Sequence, residues 1–261
     1  MNPVSPSRLV LGPLLAAFIA GCAGMTSSGE PPDYRAIVAS PDRSDADRET
    51  DRRRKPELLL EFTGVRKGMK VLDMGAGAGY STELLARAVG PRGKVYAQDS
   101  QSMSARARER FDERAKAPAM HSVIRLLRAY DDPVPLAVRN LDLITFLFAY
   151  HDTAFMTVDR AKMNRALFEA LKPGGVLVVA DHSAQPGAGV SVAKTLHRIE
   201  ESTLRGEIEA AGFKLVAEAD FLRNPGDLRD AIVFRPQTPV DEFVLKFVKP
   251  VAIRPAEGSS M

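Results

Sequence analysis

The sequence of 261 residues predicts an α/β fold, a doubly wound and mostly parallel sheet that finishes in an antiparallel C-terminal hairpin. Three observations predict it. Strand and helix signals alternate after Gly68, which implies parallel strands joined by right-handed crossovers. The stretch Val71–Tyr80 reads Val-Leu-Asp-Met-Gly-Ala-Gly-Ala-Gly-Tyr: a short apolar strand ending in an acid, three glycines at every second position, and then a helix-forming run. The last two strand signals are joined by a long stretch without helix, so they pair as a hairpin at the sheet edge.

At the N-terminus one cation, Arg8, precedes an apolar run from Leu9 to Ala20 and the small residue Gly21. Residues 1–21 therefore have the layout of a secretory signal peptide, the apolar run falling short of the roughly 20 residues that span a bilayer. The segment Ile19-Ala20-Gly21-Cys22 resembles the lipobox of bacterial lipoproteins, which implies a lipid anchor on Cys22, the sole cysteine. Residues 22–55 follow as a tether and a charged segment. Ala23 to Tyr34 is rich in Gly, Ser, Pro and Thr, as suits a flexible link. Ser40 to Lys55 is crowded with both signs of charge and reads either as a solvated helix or coil, or as a lid over the mouth of the glycine turn.

The folded domain is expected over 56–250, with a flexible tail at 251–261. Pro56 to Phe62 is a helix. Lys70 to Met74 is the first strand and Ser81 to Val89 its helix, broken by Gly90-Pro91-Arg92-Gly93. Lys94 to Gln98 is a second strand ending at Asp99, Ser102 to Lys116 a charged helix, and Val123 to Leu127 a third strand. Leu141 to Phe148 is almost continuously apolar, as a strand buried on both faces should be. Ala154 to Leu171 has helical spacing and is stopped by Lys172-Pro173-Gly174-Gly175, after which Val176 to Ala180 is a fifth strand. Phe213 to Phe221 and Glu242 to Val248 form the hairpin. A net charge of +3 gives no support to a nucleic-acid partner. A single cysteine fits an oxidising compartment without requiring one.

Glycines after a strand let the backbone approach a ligand closely, and the following helix presents unpaired N–H groups. Nicotinamide enzymes space their glycines Gly-x-Gly-x-x-Gly; here Tyr80 stands at the sixth position. Asp73, the alternate glycines, Asp99 after the second strand, Asp131 and Asp132 after the third, the Leu171–Gly175 turn and the terminal hairpin instead resemble class I S-adenosylmethionine-dependent methyltransferases. The resemblance covers about Glu61 to Pro250. It implies a cofactor site built from Asp73, Gly75, Gly77, Gly79, Tyr80, Asp99, Asp131 and Asp132. In that site Asp73 lies near the amino acid moiety, Gly75 and Gly77 lie beneath the cofactor, and Asp99 accepts from both ribose hydroxyls. Asp131 or Asp132 faces the adenine, unless the pair only makes a turn with Pro133.

Reacting groups of open α/β sheets gather beyond the carboxyl ends of the strands. Tyr150-His151-Asp152 follows the fourth strand and Asp181-His182 the fifth, with His197-Arg198 expected on the next helix. This combination resembles a subgroup of exported methyltransferases. His151, Asp152, His182 and His197 are the catalytic candidates, with His151 or His182 as general base, against a structural or capping role. By position, Asp152, Asp181 and His182 also resemble the metal-holding acids of catechol O-methyltransferases; the preferred reading is that they bind substrate or one another, with no metal. His121 reads as surface, and Phe146, Phe148 and Tyr150 as core. Asp220, Arg223 and Asp227 border the mouth with no assigned task.

The expectation is an S-adenosylmethionine-dependent methyltransferase acting on a small molecule by O- or N-methylation, lipid-anchored in the cell envelope and facing the periplasm. The alternatives are an exported ligand-binding module that has lost catalysis, and a cytoplasmic enzyme with its start assigned too early. Oligomeric state is not legible.

Overall fold

The computed structural model describes residues 29–251 apart from 235 and 237. The signal peptide, the lipobox-like run with Cys22, and the tail after Val251 lie outside the described residues. Within them, no helix is long and apolar enough to cross a membrane.

Three helices come first: α1 (Tyr34–Val38), α2 (Asp45–Arg54) and α3 (Pro56–Thr63). Then β1 (Lys70–Met74), α4 (Tyr80–Val89), β2 (Lys94–Asp99), α5 (Ala105–Arg114), β3 (Val123–Leu127) and β4 (Leu141–Leu147) alternate as expected. The second half holds α6 (Arg160–Ala170), β5 (Leu171–His182), α7 (Ala193–Leu196), α8 (Glu201–Ala210), β6 (Lys214–Ala219) and β7 (Glu242–Val248). The strands form one seven-stranded sheet in the order β3-β2-β1-β4-β5-β7-β6. All neighbours are parallel except the two pairings of β7, which is antiparallel to β5 and to β6. The expected fold class is borne out. The order reverses direction between β1 and β4, so the crevice beyond their carboxyl ends is the place for a ligand.

β4 has apolar neighbours on both sides, which is why its sequence does not alternate. On one face Ile144 and Phe146 join Leu72, Met163, Leu167, Ile208 and Phe247; on the other Leu143 and Leu147 join Leu60, Leu84, Leu85 and Val178. Burying each such side chain stabilises the fold by about 1.5–3 kcal/mol.

Several elements differ from the sequence reading in extent. α6 begins only at Arg160, because Asp159 caps it by accepting from the Lys162 amide; the residues before it, His151–Ala154, form a 3-10 turn. β5 starts at Leu171 directly after α6, and the Pro-Gly-Gly segment becomes a register shift in its pairing with β4. α5 is trimmed at both ends, starting after the Ser104 cap.

The charged segment is a docked helix. Ser44 caps α2, and Asp47 takes both guanidinium nitrogens of Arg114 at 2.8 Å. Asp51 does the same for Arg43, at 2.7 and 2.8 Å, and also accepts from the Tyr80 hydroxyl at 2.6 Å. Its charges pair with α4 and α5, which fixes it beside the glycine turn.

Candidate active site

The turn between β1 and α4 uses its three glycines in different ways. All have positive φ, +65°, +55° and +81° for Gly75, Gly77 and Gly79, a region that costs an L-residue about 1–2 kcal/mol. A Cβ on Gly75 would lie 2.8 Å from the Ala149 Cβ, and one on Gly79 would lie 3.0 Å from Phe111 and Arg114. At Gly77 a Cβ would meet only the Gly75 carbonyl at 3.9 Å. Gly75 and Gly79 thus allow close packing, while Gly77 faces open space.

Asp73 is fully buried, and its carboxylate accepts from Ser81 Oγ (2.8 Å), Thr82 Oγ1 (2.7 Å) and Thr145 Oγ1 (2.8 Å). It ties the glycine turn to the first residues of α4 and to β4. Burial pushes its carboxyl above the usual range, with the three hydroxyls pulling the other way. Asp99 lies across from Gly77. Its Oδ2 accepts from the Gly77 amide at 2.8 Å and its Oδ1 from the Ser100 amide at 2.7 Å. Burial raises this carboxyl too. A carboxylate has about four acceptor sites, so Asp99 retains capacity for hydroxyl donors. Such donors would stabilise its charged form.

The remaining expected cofactor residues, Tyr80, Asp131 and Asp132, each have a partner within the chain. The Tyr80 hydroxyl donates to Asp51 and titrates well above its usual value, because the ring is buried and Asp51 is adjacent. Half-buried Asp131 lies 3.5 Å from Lys162, and exposed Asp132 pairs with Arg128. Two further residues carry no motif that sequence reasoning could have used. Gln98 accepts from the Gly75 amide at 3.4 Å and donates to the Arg128 carbonyl at 2.9 Å, linking the glycine turn to the end of β3. The Arg54 guanidinium lies 4.3 Å from the Phe148 ring centre and 5.6 Å from that of Tyr80. Burial, and secondarily Arg53, lower it to about 10.

The second group stands on the rim. His151 follows β4, and its Nδ1 lies 2.7 Å from Asp181 Oδ1 while its amide donates to Asp181 Oδ2 at 2.9 Å. The His182 amide donates to Asp181 Oδ1 at 2.8 Å. Asp181 is fully buried; burial would raise its carboxyl, but His151 prevails and holds it below the usual range. Burial would likewise lower His151, but the Asp181 and Asp152 carboxylates prevail and raise it to about 10. On the other side of the ring, His151 Nε2 lies 3.1 Å from Asp152 Oδ1 and 3.3 Å from His197 Nδ1. His197 Nδ1 is 3.3 Å from Asp152 Oδ1. Tyr150 anchors this turn in the core, its hydroxyl donating to Glu207 and accepting from Asn164, both at 2.8 Å.

The structure brings His151, Asp152 and His197 together, with His182 behind them. The His182 ring centre is 5.6 Å from that of His151, and its Nδ1 comes within 2.9 Å of Glu242 Oε1 without hydrogen-bond alignment. The placement of His197 corrects the sequence reading. His197 and Arg198 lie beyond the C-terminus of the four-residue α7, with His197 in the left-handed region at φ +55°. Arg198 is buried away from the mouth, its guanidinium held by Asp227 at 2.7 Å and by the carbonyls of Ser183 and Ala231. Asp227 is therefore an internal ion-pair partner, and Arg223 pairs with Glu201 at 2.6 Å. The trio Asp152, Asp181 and His182 does not converge, because both Asp181 oxygens are occupied by His151 and backbone amides. His121 is exposed, and Phe146, Phe148 and Tyr150 are core, as expected.

The two groups meet at the end of β4. Ala149, whose Cβ abuts Gly75, stands two residues before His151, so the end of β4 joins the glycine turn to the rim. The open space over Gly77 and the spare acceptor capacity of Asp99 fit the ribose of the expected cofactor.

A family model described as the ubiE/COQ5 methyltransferase family matches residues 51–199, a span that runs from the end of α2 to the residue after Arg198. The Ubiquinone/menaquinone biosynthesis C-methyltransferase UbiE of Cronobacter sakazakii is 32% identical over 127 residues, 48% of this chain and 47% of that protein. The chain thus spans about half the length of the curated relatives it matches. Among solved structures, a SAM dependent methyltransferase from Aquifex aeolicus superposes with TM-score 0.55 at 21% identity, covering 83% of this chain and 98% of the other. The [4+2]-cyclase SpnF superposes with TM-score 0.58 at 17% identity, covering 86% and 100%. These likenesses establish the fold.

Proposed function

This chain belongs to the ubiE/COQ5 methyltransferase family, and from that premise we propose that it transfers the methyl group of S-adenosylmethionine to an apolar small molecule held at the histidine rim. The observation that carries the reading is the contact of Ala149 with Gly75, which puts the rim next to the cofactor seat. When bound, the cofactor would supply a sulfonium-activated methyl group that an electron pair of the acceptor can take, the carbon–sulfur bonding pair staying with sulfur. The protein's part is alignment. Asp99 and Gly77 fix the adenosine end, and the rim holds the acceptor's polar group at the mouth. The proton given up by an O–H or N–H acceptor passes to Asp152 Oδ2 or to solvent through that mouth.

The apolar character of the acceptor is inferred from the surface around His197. The rings of Phe155 and Phe234 stand 5.7 and 4.6 Å from its ring centre, and both remain exposed, as do Leu228 and Ile232 nearby. Lone exposed apolar residues need no explanation, but several together mark a binding surface. The relatives' name, which refers to quinone biosynthesis and C-methylation, fits an apolar ring acceptor and adds carbon to the acceptor atoms O and N. The test is formation of S-adenosylhomocysteine from S-adenosylmethionine with a panel of hydroxylated aromatic acceptors. Turnover that falls in Phe155→Ala and Phe234→Ala supports the reading, and cofactor binding without turnover on any acceptor counts for a binding module. On the sequence alone we place the domain in the cell envelope, anchored through Cys22.

A further inference from the structure

We propose that His151 Nε2, Asp152 Oδ1 and His197 Nδ1 form a binding site for one divalent transition-metal ion of the zinc, cobalt or iron type. The three atoms are the corners of a nearly equilateral triangle with edges of 3.1, 3.3 and 3.3 Å. An ion bonded at about 2.0–2.1 Å to two donors spreads them by about 2.9 Å in octahedral geometry and about 3.4 Å in tetrahedral geometry. The observed edges fall inside that range. Among the described residues, this is the group of His and acidic side chains whose ligand atoms converge in this way.

The surroundings have the organisation of a metal site. Asp181 Oδ1, 2.7 Å from His151 Nδ1, holds a proton on that nitrogen, so an ion binds by displacing the proton from Nε2, in the usual carboxylate–histidine–metal arrangement. Asp181 is itself immobilised by two backbone amides. His197 enters the triangle from a backbone at φ +55°, a left-handed conformation unusual for a residue other than glycine. Strained backbone of this kind collects at functional positions. Asp152 and His197 keep side-chain exposures of 35% and 21%, so an ion can enter from the mouth and retain open coordination positions there. Two imidazoles and one carboxylate favour zinc, iron, cobalt or nickel over magnesium or calcium. Without an ion, the three groups form a hydrogen-bonded cluster in which the rings donate to Asp152, and the experiment separates the two arrangements.

The full chain, free of any purification tag and stripped with chelator, would be titrated with Co2+ by visible absorption and with Zn2+ by calorimetry. The expected result is one ion per chain, with cobalt bands that Zn2+ displaces. Asp181→Asn should weaken binding by about 10- to 100-fold, and His197→Ala, a partly exposed site that should not disturb folding, by at least as much. His121→Ala, on the exposed turn before β3, should leave the affinity unchanged. Absence of uptake by the wild-type chain, or uptake unaffected by His197→Ala, overturns the proposal. The thermal shift given by S-adenosylhomocysteine on the same preparations tests the methyl-transfer reading independently. A chain that binds this product but no ion contradicts the metal site alone.

Discussion

Alanine at Gly75 and alanine at Gly77, made separately, should break two different properties of the same turn. Both positions have left-handed backbone, at φ +65° and +55°, so each substitution costs about 1–2 kcal/mol in strain. At Gly75 the added methyl would also lie 2.8 Å from the Ala149 Cβ and 3.3 Å from the Tyr130 hydroxyl. Neither can retreat easily, since Ala149 belongs to the backbone leading into the rim and Tyr130 stacks on Phe146 with the ring planes 8° apart. Overpacking of this kind adds about 1–3 kcal/mol, for a total of about 2–5 kcal/mol at Gly75. At Gly77 no such contact exists, and the loss should stay near the strain alone. Its methyl instead occupies the space assigned to the cofactor, so S-adenosylhomocysteine affinity should drop at least about tenfold, equivalent to about 1.4 kcal/mol. Urea unfolding followed by circular dichroism measures the first quantity and calorimetric titration the second. Gly77→Ala with unchanged affinity, or Gly75→Ala no less stable than Gly77→Ala, would refute the division of labour between the two glycines.

Other outcomes follow from the ion pairs and the N-terminal sequence. Asp227→Ala leaves the Arg198 guanidinium, 1% exposed, without its carboxylate and should cost about 3–5 kcal/mol in urea unfolding; a loss under about 1 kcal/mol would show that the buried carbonyls suffice. Burial acts to raise the Asp47 carboxyl, but Arg114 and Ser44 outweigh it and hold it below its ordinary value. Its contribution is complete above the unfolded value of about 3.9 and disappears as pH falls through the lower folded value. Asp47→Asn should therefore flatten the acid side of the stability profile, and an unchanged acid limb would remove Asp47 from that account. Cells expressing the wild-type chain should incorporate labelled palmitate and those expressing Cys22→Ser should not; an unlabelled wild-type chain rules out the lipid anchor.

The parts of the fold that depend on local pattern were readable in advance. The β1 glycine turn, the doubly buried β4 and the hairpin closing the sheet each carry their own signal of periodicity or composition. What escaped depends on contacts between distant residues. The salt bridges that dock α2 join residues such as Asp47 and Arg114, and charge alone does not say which partner a side chain finds. The resemblance to class I methyltransferases implies that Asp73 lies near the amino acid moiety of the cofactor; what it does not tell is that the carboxylate accepts from the hydroxyls of Ser81, Thr82 and Thr145, the last on another strand. His197 lies beyond α7 instead of on the expected helix, because nothing in Leu196-His197-Arg198 announces a left-handed residue. Gln98 and Arg54, each placed by tertiary packing against the glycine turn or Phe148, had no motif to reveal them.

The central claim is that the glycine turn and Asp99 seat S-adenosylmethionine. Isothermal titration of the full chain with S-adenosylmethionine, alongside Asp99→Ala, tests it most directly. We expect one site per chain, with affinity at least about tenfold weaker in the variant because a bidentate acceptor for the ribose is lost, each such charged hydrogen bond contributing about 1.5–3 kcal/mol. No heat at millimolar cofactor, or equal affinity in the wild type and Asp99→Ala, would contradict it.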